Sequence, residues 1–386
     1  MAKKSDVEVD NRDMEGLLNS LSKRYKGNQY SAILASDFID SGDMEPLSTL
    51  HISFDCMTGI GGLPVGKIIE FTGEEGSHKS NYAWECVGAV HAQDKNDFVV
   101  WIDAEKALDL RVKMQRKHIA NMNVDFKRLI IVVPETAEET WGIIEEACEK
   151  GARLVVIDSI STLIPQKELK SGVEEQSGYP ALPASINRGF RGISKKLWTH
   201  GCTLIEINQV REKLDLVNPK YTRFEDKWST TGGKGLKHWL TLRLFFRKKK
   251  IWQEGEDGRK HHVGDEVTVS VIKTRLAPVM DNATLYMYHK HGFDKIEELM
   301  NMLIDWGILY KETKTARKFF FAGFEEDIEA MQWNDWYEYF EDNEAYEWAC
   351  DIMQETYNNH YNEDGDILDE LAEQEAEYED DYDEEE

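Results

Sequence analysis

Between Lys67 and Lys273, short runs of β-branched and apolar residues alternate with helical stretches of about 10 to 20 residues, and this rhythm limits the possible fold more than any other feature. Such alternation signals βαβ units and a mainly parallel sheet. The runs are KIIEFTG from Lys67, FVVWIDAE from Phe98, RLIIVV from Arg128, RLVVIDSI from Arg153, CTLIEINQ from Cys202, LTLRLFFRK from Leu240 and EVTVSVIK from Glu266. Several are continuously apolar, which suits strands covered by helices on both faces. Turn-forming residues from Gly255 to Lys260 make the final strands antiparallel and hairpin-linked. The expected class is α/β.

The first run leads into FTGEEGSHKSNYAWE, Phe71 to Glu85. This nearly matches the phosphate-binding pattern GxxxxGK[ST], with His78 where the pattern has glycine. The backbone amides of Gly73, Glu74, Glu75, Gly76, Ser77, His78, Lys79 and Ser80 can wrap a phosphate chain, helped by the start of a helix near Lys79. Lys79 would reach the β- and γ-phosphates of a nucleoside triphosphate, and the Ser80 hydroxyl would hold Mg²⁺. Because backbone amides make most of these contacts, His78 is compatible with binding if its φ is negative and its ring turns away from the phosphates. Taken alone, the stretch also reads as an ordinary strand-to-helix turn containing a lysine.

Two carboxylates fit the same site. VVIDS ends a hydrophobic strand in Asp158, which can meet the Mg²⁺ water shell beside the phosphate loop. In WIDAEKALDL, Glu105 stands just past the next strand, placed to polarise a water for attack on the γ-phosphate. Each has a plain alternative: a common strand-terminal aspartate, and a surface charge at a helix start.

The segments TGIGGLPVGKIIEFTGEEGSHKS, IDAEKALD, LVVIDSISTLIPQKEL, INQVREKL, TTGGKGLKHWLTLRL and VIKTRLAP occur in an order and spacing that resemble the RecA recombinase family, and within it the phage-encoded branch. The resemblance covers about residues 55 to 280. It implies a RecA-like P-loop ATPase core, and it makes Glu105 the catalytic carboxylate, Asp109 the adenine contact and Gln209 a γ-phosphate sensor at the start of the second DNA loop. It also makes Lys273 and Arg275 a pair that reaches the neighbouring subunit's ATP. The family usually has lysine at both positions, and arginine keeps the charge while adding a planar fork.

The second loop supports a DNA role in its own residues. Between a strand and the pair Gly232 and Gly233 it interleaves Arg211, Lys213, Lys220, Arg223 and Lys227 with Tyr221, Phe224 and Trp228. Cations neutralise phosphates and aromatic rings stack on bases without reading a sequence. PQKELKSGVEEQSGYPALP matches the family's first DNA loop, although Glu174 and Glu175 weaken its electrostatic case. The basic run Arg247 to Lys250 is either a duplex contact or an exposed strand end.

The formal net charge is −27, but its position matters more than its size. The last basic residue is Lys318. Residues 319–386 hold 27 acidic side chains, which leaves 46 of each sign in residues 1–318. The final stretch is expected to be a disordered acidic tail that competes with DNA for basic surface and gathers Mg²⁺. The expected organisation is a polymerisation segment at 1–50, with YSAILASDF docking on the next protomer, an ATPase core with DNA loops at 51–290, a small α+β domain at 291–362 and the tail at 363–386. Five widely spaced cysteines without a CxxC pair suggest neither a disulfide framework nor a zinc site. No apolar run is long enough to span a membrane and no signal peptide is evident, so the expected location is the cytoplasm, that of a bacterial host if the chain is phage-encoded.

The resemblance, with the loop residues beside it, implies an ATP-dependent protein that forms helical homo-oligomeric filaments on single-stranded DNA and exchanges strands with homologous duplex DNA. A single-strand-binding protein and a loader would be further partners. A ring-forming helicase motor and a non-hydrolysing DNA-binding scaffold are the alternatives.

Overall fold

The computed structural model describes residues 14–24, 45–108, 122–171, 181–212, 228–255, 258–276, 280–322 and 329–362. Contacts divide the chain into two units, Met1–Glu45 and Pro46–Glu386. In the first, α1 (Met14–Arg24) carries Lys23 and Arg24 in its last turn, where cations complement the helix dipole.

The second unit is organised by ten strands. These are β1 (Ile68–Gly73), β2 (Val99–Asp103), β3 (Leu129–Val132), β4 (Leu154–Asp158), β5 (Thr203–Glu212), β6 (Trp228–Thr230), β7 (Leu242–Glu254), β8 (Lys260–Thr274), β9 (Asn282–Tyr288) and β10 (Gly292–Phe293). Their order is β10-β9-β8-β7-β1-β5-β4-β2-β3, with β6 paired to β5. The strands from β7 to β3 in this order are parallel neighbours, while β8, β9 and β10 extend the sheet antiparallel. All seven runs identified in the sequence are strands. Every residue of β1 and β2 is buried, as two-sided coverage requires.

The helices that cover the sheet are α2 (Ile52–Met57), α3 (Lys79–Gln93), α4 (Ala137–Glu149), α5 (Gln166–Ser171), α6 (Ala181–His200) and α7 (Gly233–Leu236). On one face α4 and α6 contribute Ile144, Cys148, Phe190 and Ile193 to a core with Ile68, Val155, Ile157 and Leu204. α4 starts where it does because the Thr136 side chain accepts from the Glu139 amide and two acidic residues occupy its first turn. Beneath α3, Trp84 stacks on Trp101 with ring centroids 4.4 Å apart. Tyr82 packs among Phe54, Phe71 and Phe246 on the same helix's inner face.

From α8 (Lys295–Asp305) onward the chain forms a three-stranded sheet, β11 (Leu309–Tyr310), β12 (Lys318–Phe321) and β13 (Met331–Gln332), with α9 (Trp333–Tyr339) and α10 (Asn343–Asn362). The apolar cluster of this region, with Trp336 and Phe340, also takes in Ile52 and Cys56 of α2. Buried Glu298 secures this junction by accepting from the Ser53 amide at 2.9 Å and hydroxyl at 2.7 Å, with His51 Nδ1 at 2.6 Å. Among the described residues no helix is long and apolar enough to cross a membrane.

Candidate active site

The phosphate-loop residues lie at the carboxyl end of β1, between β5 and β7. Gly73 has φ +155°, and a Cβ there would lie 2.5 Å from the Phe246 carbonyl oxygen, so only glycine fits against β7. The loop folds on itself: the Ser77 hydroxyl donates to the Glu74 carbonyl at 2.8 Å, and α3 begins at Lys79 as the sequence predicts. Lys79 Nζ donates to the carbonyls of Gly73 at 3.0 Å and Glu74 at 2.7 Å, and to Ser77 Oγ at 3.3 Å. Burial lowers its pKa to about 8, against the pull of Asp158, Glu105, Glu75 and Glu74. A buried ammonium surrounded by carbonyls and held near carboxylates is a cation ready for polyphosphate. Ser80 follows it in the first turn of α3, half-buried.

His78 differs from the sequence expectation. Its φ is +69°, in the left-handed region, because the chain turns sharply there into the helix. A non-glycine residue in this conformation costs about 1–2 kcal/mol. Side-chain contacts compensate: Nε2 donates to Asp265 Oδ2 at 2.8 Å, and Nδ1 accepts from Asn81 Nδ2 at 3.0 Å. The ring does turn aside, toward β8. Burial lowers the His78 pKa, and Asp265 opposes this.

Asp158 ends β4, level with Asp103 at the end of β2. The Asp158 carbonyl accepts from the amides of Ala104 and Glu105 at 2.9 and 3.1 Å, which fixes the chain as it leaves β2. Asp103 accepts from the amides of Ala107 and Leu108, which shapes the turn that presents Glu105. Glu105 Oε1 then accepts from Ser159 Oγ at 2.7 Å and Gln209 Nε2 at 3.3 Å. Gln209 stands opposite Gly73 across the β1–β5 pair. Lys79, Asp158, Glu105 and Gln209 thus converge from β1, β4, β2 and β5. Sequence reasoning misses Ser159 and Asp103. It finds their neighbours, but a serine after a strand-terminal aspartate carries no signal of what it will hold.

β6 and α7 frame the base of the segment that leaves β5. Gly232 and Gly233 have φ +98° and +66°. The preceding threonines are tied to a buried polar network: Asn208 Nδ2 donates to the Thr231 carbonyl at 3.0 Å and Glu70 Oε1 at 2.9 Å, and Arg243 donates to Thr230 Oγ1 at 3.0 Å and to Glu70 Oε2. Among the described residues Glu206, beside Glu70 in register, has no hydrogen-bond partner, and burial, with the Glu70 carboxylate beside it, pushes its pKa up. Arg211 lies in β5. Its side chain, Lys213, Lys220, Arg223, Lys227 and Asp109 fall outside the described residues, as do YSAILASDF, residues 172–180 and the 363–386 tail.

The basic run on β7 has two surroundings. Lys249 pairs with Glu266 at 3.3 Å on the exposed surface, whereas Lys248 lies 3.7 Å from Asp265 and close to Gly76 of the phosphate loop. A cavity of about 350 Å³ lies here, lined by Glu74, Glu75, Ser77, Trp228, Phe246 and Lys248 among others.

Lys273 and Arg275 lie elsewhere. Lys273 is level with Arg243, and so with Glu70 near the amino end of β1. It donates to the carbonyls of Lys237 and of Leu240, the latter at 2.9 Å, and Arg275 donates to the His238 carbonyl at 2.6 Å. The site on their own chain is at the opposite edge of the sheet.

The RecA N-terminal domain family matches residues 13–294. The chain is 31% identical over 288 residues to Protein RecA of Malacoplasma penetrans, covering 72% of this chain and 82% of that one. It is 30% identical over 307 residues to Protein RecA of Clostridioides difficile, with coverage of 79% and 82%. With Protein RecA of Wolbachia it shares 32% over 312 residues, with coverage of 80% and 82%.

Proposed function

Because the chain belongs to the RecA family, we propose that the converging residues described above couple ATP hydrolysis to DNA held by the loop that follows β5. The protein is a recombination protein of the strand-exchange type and a DNA-dependent ATPase. ATP is its substrate. The residues fit Mg²⁺ as cofactor: the Ser80 hydroxyl and Asp158 carboxylate would hold it, and it would neutralise charge on the β- and γ-phosphates.

The observation that carries the coupling is the Gln209–Glu105 hydrogen bond of 3.3 Å. Glu105 is the candidate base for the attacking water, and Ser159 and Gln209 hold its carboxylate. Gln209 belongs to the strand that leads directly into the basic and aromatic loop, so DNA held by that loop shifts the group that positions the base. Lys79 turns from its loop carbonyls to the phosphates. Gln209→Ala is expected to keep ATP binding and lose stimulation of hydrolysis by single-stranded DNA, and Glu105→Gln to lose hydrolysis with or without DNA. Full stimulation in Gln209→Ala overturns the coupling.

The family forms filaments on single-stranded DNA. The carbonyl-bound positions of Lys273 and Arg275, away from their own site, support their acting on the ATP of a neighbouring subunit. Among the described residues β3 pairs only with β2 and exposes half of Ile130, with Val133 just past its end equally exposed, a surface suited to a neighbour's YSAILASDF segment. His78 in the phosphate loop supports the finer assignment to the phage-encoded branch, acting in a bacterial host's cytoplasm with a single-strand-binding protein and a loader. The division at 51–290 and 291–362, the adenine contact by Asp109 and tail self-inhibition complete the reading.

A further inference from the structure

Asp265 is 1% exposed, and its two oxygens face different ways. Oδ2 faces the phosphate loop, with His78 Nε2 at 2.8 Å and Lys248 Nζ at 3.7 Å. Oδ1 faces His262, whose Nε2 is 3.0 Å away. On an unbroken strand, residues three apart point to opposite faces. Here Ile251 pairs with Gly264 and Trp252 with His262, so Val263 is an extra residue in β8. The bulge turns His262 onto the face of Asp265.

A third side chain, His289, stands just past the end of β9. The His289 amide donates to the Val263 carbonyl at 2.9 Å, and the His289 ring meets His262 edge-on with centroids 4.6 Å apart. This approach is close enough that a Cβ on Gly264 would lie 2.5 Å from the Met287 carbonyl oxygen. One ligand atom each from His262, Asp265 and His289 lies within 4.8 Å of the others.

We propose that His262, Asp265 and His289 bind a divalent transition-metal ion of the zinc class, set beside the phosphate loop and separate from the Mg²⁺ position. Two imidazoles and one carboxylate select such an ion over Mg²⁺, which prefers oxygen ligands in octahedral geometry. His289 is exposed and His262 half-buried, so the site opens to solvent and leaves room for water as a further ligand. Lys248 sits on the Oδ2 side, leaving Oδ1 to the ion. His78 becomes the hydrogen-bonded partner of a metal-bound carboxylate, and loss of such partners weakens metal binding by about 10- to 100-fold.

Through His78 the ion and the phosphate loop are linked, so each alters affinity for the other by the same factor. This coupling rests on the nucleotide reading of the loop, whereas the metal site does not.

The test titrates Co²⁺ into the full-length protein with excess Mg²⁺ to occupy exposed carboxylates. The expected result is one equivalent with a four- or five-coordinate visible spectrum, no thiolate charge-transfer band and displacement by Zn²⁺, all lost in His262→Ala and His289→Ala. The proposal is overturned by binding unchanged in both variants, by a thiolate band that places the ion on cysteine, or by only the weak octahedral spectrum of surface carboxylates. A fluorescent ATP analogue, titrated with and without Zn²⁺, reads the coupling. If the metal-free protein fails to bind the analogue, the nucleotide reading fails and the metal result stands. If it binds with equal affinity with and without Zn²⁺, the coupling fails.

Discussion

The two ends of β8 are built alike and do opposite things. Each carries a bulge: Val263 is the extra residue near the start, and Ile272 near the finish, where the pairing steps from Leu244–Val271 to Arg243–Lys273. Each bulge turns a polar side chain to a new face. At the start, Asp265 reaches its own chain's phosphate loop through His78. At the finish, Lys273 and Arg275 rest on the backbone carbonyls of residues 237–240, toward the other end of β1 from that loop. The contrast teaches that one strand can hold polar side chains against a candidate site at one end and against plain backbone carbonyls at the other.

The sharpest way to break the contrast is to disable each side. Lys79→Ala and Arg275→Ala are both expected to lower DNA-stimulated hydrolysis by about 10³- to 10⁵-fold. Dispersed monomers should separate them: the first loses nucleotide binding and the second keeps it. Mixing the two variants should restore some turnover, because an intact site can then meet an intact neighbour. Weak nucleotide binding by monomeric Arg275→Ala, measured by equilibrium titration, erases the distinction between the ends of the strand.

At the other end, Asp265→Ala removes the buried partner of His78 and His262 and is expected to cost about 2–3 kcal/mol in denaturant unfolding. Nucleotide affinity should fall with it. The same change without effect on nucleotide would detach this end of β8 from the phosphate loop.

A smaller effect follows from Lys79, whose pKa burial lowers to about 8. Below that pH the free protein already carries the charge that phosphate requires, and affinity is flat. Above it, binding must recapture a proton, so affinity falls by up to about tenfold per pH unit until the pKa of the bound state is reached. Titration of an ATP analogue between neutral and alkaline pH checks the sign.

The smallest effect is expected for His78→Gly. It relieves a left-handed backbone worth about 1–2 kcal/mol and gives up hydrogen bonds of similar total worth, so melting should change little and nucleotide binding should persist. A loss of several kcal/mol would show that the ring, not the backbone, governs the loop.

Much of the fold and of the site is legible in the amino-acid sequence alone. The buried parallel strands write themselves as unbroken apolar runs, and Lys79, Asp158, Glu105 and Gln209 each follow one, so the topology that collects strand ends also collects them. What escapes such a reading depends on pairing. Asp265 and His78 are 187 residues apart and meet because β8 continues past the end of β1. A bulge adds one ordinary valine and leaves no mark in composition. The left-handed φ of His78 is hidden by the very residue that compensates for it, since histidine there argues for an extended or helical backbone unless its ring partner is known.

The length of β8 has a further meaning in a filament. Asp265 and Lys273 are eight residues apart on a strand that is paired on both sides over much of that length, a separation of about 27 Å at 3.4 Å per residue. If one end attends its own nucleotide and the other a neighbour's, β8 acts as a ruler for the spacing between successive sites. A paired strand stretches little, so on that condition any change in pitch would be absorbed by the connections between subunits, and the strand would keep its length.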